Sequence, residues 1–309
     1  MIAGPRLLAT SDLHVRHAAN QRALVGLRDH GQDWLIVAGD VAERLDDVAR
    51  TLDLLVQRFA RVLWVPGNHE LWTTEDGLAG VRKYEALVAT CRARGVLTPQ
   101  DPFPIWRGAG GAHEIALLFA LYDYSFAPVG LDPTQVLAWA REGGVVALDE
   151  LRLSPVPHAS RREWCRSRVD ESERRLAEGS PDLPRVLVNH WPLRRDLVRI
   201  PRVPRYLPWC GTTATEDWHR RHRATVVVSG HLHVRATDWR DGVRFEEVSL
   251  GYPRQWSGTT PLDDLLREVL PGPAAPRHAE PDPVWHALGG PQRRVARAVA
   301  PAAAPVETA

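Results

Sequence analysis

The sequence predicts an α/β fold in which parallel strands alternate with helices. Three short apolar runs, each typical of a strand buried on both faces, lie at residues 6–9, 34–38 and 62–65. The polar residue that follows each run recurs at a constant spacing, since Asp12, Asp40 and Asn68 are 28 positions apart. A strand, a crossover helix and the next parallel strand together occupy roughly 30 residues. The spacing therefore predicts two consecutive βαβ units.

Helical periodicity fills the intervals between these runs. Residues 20–29 and 44–59 carry apolar side chains at helical spacing, which predicts one helix after each of the first two strands. A third helix is predicted over 73–95, with Thr73 or Thr74 as its cap and Gly95 at its end. A strand is then predicted at 114–121.

The second half of the chain predicts an insertion and further strands. Helical patterns at 134–141 and 160–177 lie within an insertion of about 125–180, which we expect to cap the site or to pack on its flank. Strands are predicted at 186–188, 225–228, 234–239 and 243–248, the last two joined by an Asp241-Gly242 turn. Residues 1–270 are therefore expected to form one domain, and the Pro- and Ala-rich stretch 271–309 a disordered tail.

Groups that bind metals follow the strands in five segments. Taken singly, each segment is more typical of a turn or of a structural histidine, and Leu121-Tyr122-Asp123 is a weaker sixth. Together they supply the seven or eight oxygen and nitrogen ligands that a pair of divalent cations requires. Open α/β sheets place their sites at the carboxyl ends of strands. The segments are Ser11-Asp12-Leu13-His14, Gly39-Asp40-Val41-Ala42-Glu43, Gly67-Asn68-His69-Glu70, Asn189-His190 and Gly230-His231-Leu232-His233.

The ordered motifs Asp-x-His, Gly-Asp, Gly-Asn-His-Glu, a single His and Gly-His-x-His resemble those of the calcineurin-like metallophosphoesterases over about residues 6–256. The resemblance implies a four-layer αββα sandwich that holds two divalent metals. It assigns one metal to Asp12, His14, Asp40 and His233, and the other to Asp40, Asn68, His190 and His231. This set of carboxylate, imidazole and amide ligands contains no thiolate and suits Mn, Fe, Zn or Ni.

The same resemblance implies a reaction. A hydroxide that bridges the two cations would attack the phosphorus of a phosphodiester. His69 would contact the phosphate and act as a general acid on the leaving oxygen. Glu43 would pair with His69, fix its tautomer and raise its pKa. Alternatively, Glu43 simply favours the first turn of the helix that follows it.

The stretch after His190 bears on the substrate. It contains the arginines 194, 195, 199, 202 and 205 among prolines and aromatic residues, which predicts a basic loop beside the site. Arg194, Arg195 and Trp191 are the predicted substrate-binding residues, and the alternative is that these arginines are ordinary solvated residues. The segments Trp-Pro-Leu-Arg and Leu-Pro-Trp-Cys-Gly-Thr are similar to an actinobacterial branch that includes phosphopantetheinyl hydrolases. That likeness implies removal of 4′-phosphopantetheine from an acidic holo-acyl carrier protein.

Other functions share the motif order. They are a cyclic-nucleotide or nucleic-acid phosphodiesterase, a general phosphomonoesterase and, in a different class, a non-catalytic metal-binding scaffold. The formal net charge of +1 argues against nucleic acid as a partner. A scaffold would normally lack one of the ligands, and none is missing from the set.

Composition suggests a compartment. Three scattered cysteines are typical of reduced thiols. Neither a signal peptide nor an apolar run of about 20 residues is evident in the sequence. We therefore expect a cytoplasmic protein that makes no contact with a membrane.

Overall fold

The computed structural model describes residues 4–75, 77–256 and 258–274. Within these ranges the strands form two sheets that pack face to face, and helices cover the outer face of each sheet. The predicted α/β class and the four-layer αββα sandwich are both confirmed. The strands are β1 (Leu7–Thr10), β2 (Trp34–Val37), β3 (Arg61–Trp64), β4 (Ile105–Gly108), β5 (Gly111–Leu117), β6 (Arg185–Val188), β7 (Ala224–Ser229), β8 (Ala236–Arg240), β9 (Val243–Glu247) and β10 (Arg267–Leu270).

The first sheet has the order β10-β1-β2-β3. Its three N-terminal strands are parallel, and Leu7, Trp34 and Arg61 are aligned across them. β10 pairs antiparallel with β1 at the edge of the sheet. The two βαβ units that the 28-residue spacing predicts are therefore present, and each returns the chain to the same edge.

The second sheet has the order β4-β5-β6-β7-β9-β8. The four central strands are parallel, whereas β4 and β8 pair antiparallel at the two edges. The predicted turn joins β8 to β9, and both Asp241 (φ 52°) and Gly242 (φ 76°) have positive φ, as a two-residue type I′ hairpin requires.

Alternation along the strands divides the core into layers. Leu7 and Ala9 of β1 belong to the layer between the sheets, together with Ile36, Ile115 and Val186 from strands of both sheets. The intervening residue Leu8 instead joins the apolar cluster beneath the helices. Because side chains of a strand alternate between its two faces, a strand covered on both sides must be apolar throughout.

Among the helices that the sequence predicts, the third differs most from the structure. α4 begins at Gly80 rather than near residue 73. The preceding segment is bound to the insertion instead, since the Thr73 amide donates a hydrogen bond to the Arg152 carbonyl. The helices are α1 (Ala18–Val25), α2 (Leu45–Leu55), α3 (Asn68–Leu71), α4 (Gly80–Arg92), α5 (Pro133–Glu142), α6 (Asp149–Arg152), α7 (Arg161–Glu178), α8 (Trp218–Arg221) and α9 (Leu262–Leu265). Short 3₁₀ turns occupy Arg195–Leu197, Pro204–Trp209, Thr213–Thr215 and Pro253–Gln255.

The predicted insertion, residues 125–180, contains α5, α6 and α7. The predicted tail lies outside the described residues from 275 onward. Among the residues that the structure describes, no helix combines the length and the apolar character that crossing a membrane requires.

Candidate metal centre

The candidate ligands lie in loops at one edge of the sandwich, where strands of both sheets end. Asp12 and His14 follow β1, Asp40 follows β2, and Asn68 opens α3 after β3. Loops after β6 and β7 of the second sheet supply His190, His231 and His233. The structure thus brings all seven predicted metal-ligating side chains to one place.

A first cluster joins one carboxylate and two imidazoles. His233 Nε2 lies 2.9 Å from Asp12 Oδ1 and 3.2 Å from His14 Nε2. His14 Nε2 lies 3.9 Å from the same oxygen of Asp12. Two ring nitrogens and a carboxylate oxygen that face one another at these distances form a donor set for a divalent cation.

A second cluster contains Asp40, His190 and His231, whose ligand atoms all lie within 4.8 Å of one another. Asp40 Oδ2 lies 3.5 Å from His190 Nε2. The Asn68 Oδ1 atom is 3.2 Å from His231 Nδ1, which adds the amide ligand to this cluster.

Unsatisfied nitrogens provide a test of whether a cation fits. His190 Nδ1 donates to the Ala38 carbonyl at 2.7 Å, so Nε2 is the ring nitrogen that faces Asp40 and on which a cation would replace a proton. Both His190 Nε2 and His231 Nε2 are buried and have no hydrogen-bond partner among the described residues. Buried polar atoms are normally paired, so a cation between these rings would satisfy them.

Asp40 connects the two clusters. It shares the second cluster with His190 and His231, and it also groups with His14 of the first cluster and with His69. This central place is the one that the family resemblance implies for a ligand common to two metals.

The electrostatics of the site also suit cations. Burial, reinforced by the charge of His69, lowers the pKa of His14 to about 3, and burial together with His190 lowers that of His231 to about 3. Both rings are therefore neutral ligands at pH 7. Burial raises the pKa of Asp40, but His190 and His69 outweigh it and hold this pKa well below its ordinary value. The carboxylate is therefore ionised.

Backbone strain is concentrated at the same residues. Five of the candidate ligands have φ values between +39° and +73°, a region that non-glycine residues rarely occupy. Strain of this kind persists only where surrounding contacts enforce it, and it is commonly found at functional sites. The five residues are Asp12, His14, Asp40, His231 and His233.

Gly39 permits the loops to approach closely. Its φ is +86°, and a Cβ built there would lie 2.6 Å from both Gly67 N and His190 Nδ1. Real Cβ atoms essentially never make such contacts. The residue before Asp40 must therefore be glycine for the loops after β2, β3 and β6 to meet.

The predicted pair of His69 and Glu43 is also brought together. His69 Nδ1 lies 3.1 Å from Glu43 Oε1, and Nε2 on the other side of the ring lies 3.9 Å from Asp40 Oδ2. The Trp72 ring packs on His69 with a centroid distance of 3.8 Å. The imidazole is thus fixed in orientation, with one nitrogen toward Glu43 and the other toward the candidate metal ligands.

The three predicted substrate-binding residues lie in different surroundings. Trp191 is fully buried beside His231, with ring centroids 5.9 Å apart, and its role in substrate binding stays a prediction. Arg194 is bound within the protein, because its Nε donates to Asp196 Oδ1 at 2.8 Å. The same guanidinium lies 3.9 Å from Asp241, and the role of Arg194 in substrate binding stays a prediction. Arg195 is half-buried, and its role stays a prediction.

Two acids that support the ligands were not assigned a role from the sequence. The Glu70 carboxylate accepts hydrogen bonds from the backbone amides of Asp40 (2.8 Å), Val41 (2.9 Å) and Gly67 (3.0 Å). It therefore ties the loop after β2 to the loop after β3, and its position in Gly-Asn-His-Glu was a usable signal. Asp149, from the insertion, contacts Asn68, and no motif marks it.

Asp12 has its own supporting contacts. Ser249 Oγ donates to Asp12 Oδ2 at 2.7 Å, and the His231 backbone amide donates to the same oxygen at 3.1 Å. With Oδ2 occupied in this way, Oδ1 faces His233 and His14.

Comparison with known proteins gives a consistent result. A family model for calcineurin-like phosphoesterases matches residues 5–235. The chain is 49% identical over 276 residues to the acyl-carrier-protein phosphodiesterase PptH of Mycobacterium tuberculosis, in an alignment that covers 88% of this chain and 85% of that protein. The crystal structure of phosphopantetheinyl hydrolase PptH from Mycobacterium tuberculosis superposes with a TM-score of 0.84, covering 89% of this chain and 100% of the other at 49% identity.

Proposed function

The chain belongs to the calcineurin-like phosphoesterase family, and we propose that it hydrolyses the phosphodiester that links 4′-phosphopantetheine to a serine of holo-acyl carrier protein. The observation that carries this substrate is the 49% identity, over 88% of the chain, to a protein named for that activity. The convergence of carboxylates, imidazoles and an amide at one edge of the sandwich supports the chemistry.

The residues would hold two divalent cations in the two clusters. Asp12, His14 and His233 would bind one cation, Asn68, His190 and His231 the other, and Asp40 both. When bound, such a pair of cations activates water at neutral pH and offsets the charge of the phosphoryl oxygens. The absence of thiolate in the ligand set favours Mn, Fe, Zn or Ni.

The role proposed for His69 is proton donation. The bond from water oxygen to phosphorus forms while the bond from phosphorus to the serine oxygen breaks, and the serine oxygen takes up a proton. His69 Nε2 faces the cluster, whereas Nδ1 is held by Glu43 at 3.1 Å. A protonated His69 is therefore oriented to donate from Nε2 as a general acid.

Glu43 would act as the positioning residue for this imidazole. Burial raises the pKa of Glu43, but its hydrogen bond to His69 and the charge of that ring lower it to about 2. The carboxylate is thus ionised at neutral pH and accepts from Nδ1, which fixes the ring and favours its charged form.

The test is incubation with holo-acyl carrier protein in the presence of Mn or Fe, followed by intact-mass analysis. The expected product is carrier protein that has lost the whole prosthetic group, including its phosphate. A carrier of unchanged mass, in a preparation that hydrolyses bis-p-nitrophenyl phosphate, would reject the substrate and leave the phosphoesterase activity standing.

A further inference from the structure

One concave surface adjoins the metal centre and is not used by the proposed chemistry. It is a cavity of about 390 Å³ that begins at His233 and Gln255 and extends along Arg202 and Arg254. Gln255 Oε1 lies 2.8 Å from His233 Nδ1, so the inner end of the cavity is fixed to a candidate metal ligand. We call this surface the Arg202–Arg254 groove.

The walls of the groove are apolar and partly uncovered. Ile200 and Leu232 are buried, whereas Val203 and Val234 remain 46% and 36% exposed. Exposed apolar side chains that cluster beside a site commonly mark a surface that a partner covers.

The charge of the groove is uniformly positive. Among the described residues that line it, the charged side chains are arginines, with no aspartate or glutamate. Arg199 pairs with Asp238, whereas Arg202 and Arg254 are exposed and form no ion pair with a described residue. Arg254 rests over the ring of Tyr252 at 5.4 Å, which leaves its guanidinium at the surface.

Arg194, Arg199 and Arg205 of the basic loop are engaged within the protein. Arg205 lies 3.3 Å from Glu142 and stacks over Trp139 of the insertion, and Arg194 is bound to Asp196. The exposed basic surface of the groove is therefore formed by Arg202 and Arg254 rather than by the whole arginine-rich stretch.

We infer that the Arg202–Arg254 groove is the docking surface for an acidic amphipathic helix of the carrier protein, an inference that rests on the proposed function. A small phosphate ester would occupy only the end at His233 and would leave Val203 and Val234 in water. A helix whose apolar stripe covers these valines, with acids on both sides, matches the apolar walls and the two arginines together. Its modified serine would then lie at the end of the groove where the candidate ligands begin.

The experiment compares the double variant Arg202→Glu/Arg254→Glu with the unaltered protein. Binding is measured with fluorescently labelled apo-carrier protein, which keeps the helix and lacks the ester. Turnover is measured as the ratio of kcat/KM for holo-carrier protein to that for bis-p-nitrophenyl phosphate. We expect the double charge reversal to weaken carrier binding at least about tenfold and to lower this ratio to a similar degree, because electrostatic complementarity becomes repulsion. Carrier binding to the unaltered protein should also weaken steeply with added salt, and that dependence should flatten in the variant.

Arg107→Glu supplies the matched control, since this arginine is exposed on β4 at the opposite edge of the second sheet from β8. It should change neither measurement. The double variant could bind carrier protein as tightly as the unaltered protein and show the same ratio of kcat/KM values. If the unaltered protein also releases the prosthetic group, that result would overturn the docking surface alone. A double variant that loses activity equally on both substrates would also overturn it, because the groove would then serve the reacting phosphate itself. Failure of the unaltered protein to act on holo-carrier protein would overturn the function and the inference together.

Discussion

Asp149 Oδ1 accepts a hydrogen bond from Asn68 Nδ2 at 3.0 Å, and this contact joins the helical insertion to the candidate metal centre. The same oxygen accepts from Trp72 Nε1 at 2.7 Å. Because the amide group of Asn68 is held on its nitrogen side, its Oδ1 is directed to the opposite side, where His231 lies. The insertion therefore orients a candidate ligand, whether or not it also closes over the substrate.

Asp149→Ala should weaken metal binding at the cluster that contains Asn68. Loss of an outer hydrogen-bond partner of a ligand typically lowers metal affinity by about 10–100-fold. Metal titration of protein whose circular dichroism is unchanged would measure the effect.

Asp132→Ala is the matched control for this substitution. Asp132 is an exposed cap of α5 in the same insertion, so its loss should cost about 1 kcal/mol of stability and leave metal affinity unaltered. Equal metal affinity in Asp149→Ala and the unaltered protein would contradict the positioning role.

Asp40→Asn should remove activity more completely than substitution of any residue that serves one cluster. Its carboxylate is common to the two candidate sites, and removal of one preorganised electrostatic group commonly costs about 10²–10³-fold in kcat. Hydrolysis of bis-p-nitrophenyl phosphate would measure the loss of activity, and elemental analysis would measure the loss of bound metal.

Asp33→Asn tests whether such losses are specific to the site. Asp33 precedes β2, at the end of the strand away from Asp40, and its carboxylate binds Arg6 at 2.7 Å. Its substitution should lower stability without removing metal. Full metal content and full activity in Asp40→Asn would exclude a shared ligand.

The protonation of His69 in the metal-free protein should reveal its coupling to Glu43. Burial lowers the pKa of His69, but Asp40 and then Glu43 raise it above its ordinary value of 6.5. The protonated ring therefore stabilises the fold below pH 6.5, and that contribution is lost as the pH rises through the folded-state pKa. Glu43→Gln should move this pKa downward.

NMR titration of the histidine ring signals in metal-free protein would give the pKa of His69 in the unaltered protein and in Glu43→Gln. The His69 signal is assigned as the one that His69→Gln removes. His14 provides an internal reference, because its pKa of about 3 places it at the other extreme of the same cluster. A His69 pKa that does not respond to Glu43→Gln would show that the pair is not coupled.

Gly39→Ala should destabilise the protein far more than Gly242→Ala. Both glycines have positive φ, +86° and +76°, so both substitutions incur backbone strain of about 1–3 kcal/mol. Only Gly39 has neighbours within 4 Å of the added Cβ, and these are Gly67 and His190. Denaturant unfolding of the two variants measures the difference, and equal losses would contradict the close approach of the loops.

The sequence predicted the parts of the site that follow from the order of strands, helices and loops along the chain. The 28-residue spacing of Asp12, Asp40 and Asn68 locates their loops at one sheet edge, and the structure has them there. The type of side chain at each strand end then limits the chemistry. Such a prediction succeeds because the path from a strand to its own loop is short.

Contacts between distant segments could not be predicted in this way. Asp149 belongs to a four-residue helix without amphipathic periodicity, and its contact with Asn68 depends on how the insertion packs. The burial of Trp191 was missed for the same reason, because proximity in sequence to a metal ligand does not state which way a ring faces. Strands β4 and β10 were also missed, since four-residue runs at a sheet edge have little periodic signal.

The pairing of β10 with β1 has a consequence for biogenesis. The strand that leads into Asp12 acquires its second neighbour only when Arg267–Leu270 is available, and Asp12 meets His233, which lies 221 positions further along the sequence. A nascent chain therefore leaves the ribosome with the outer flank of β1 unpaired until translation has passed this strand. Assembly of the Asp12–His233 contact and full protection of the first sheet are consequently late events, dependent on contacts between residues that are far apart in the sequence.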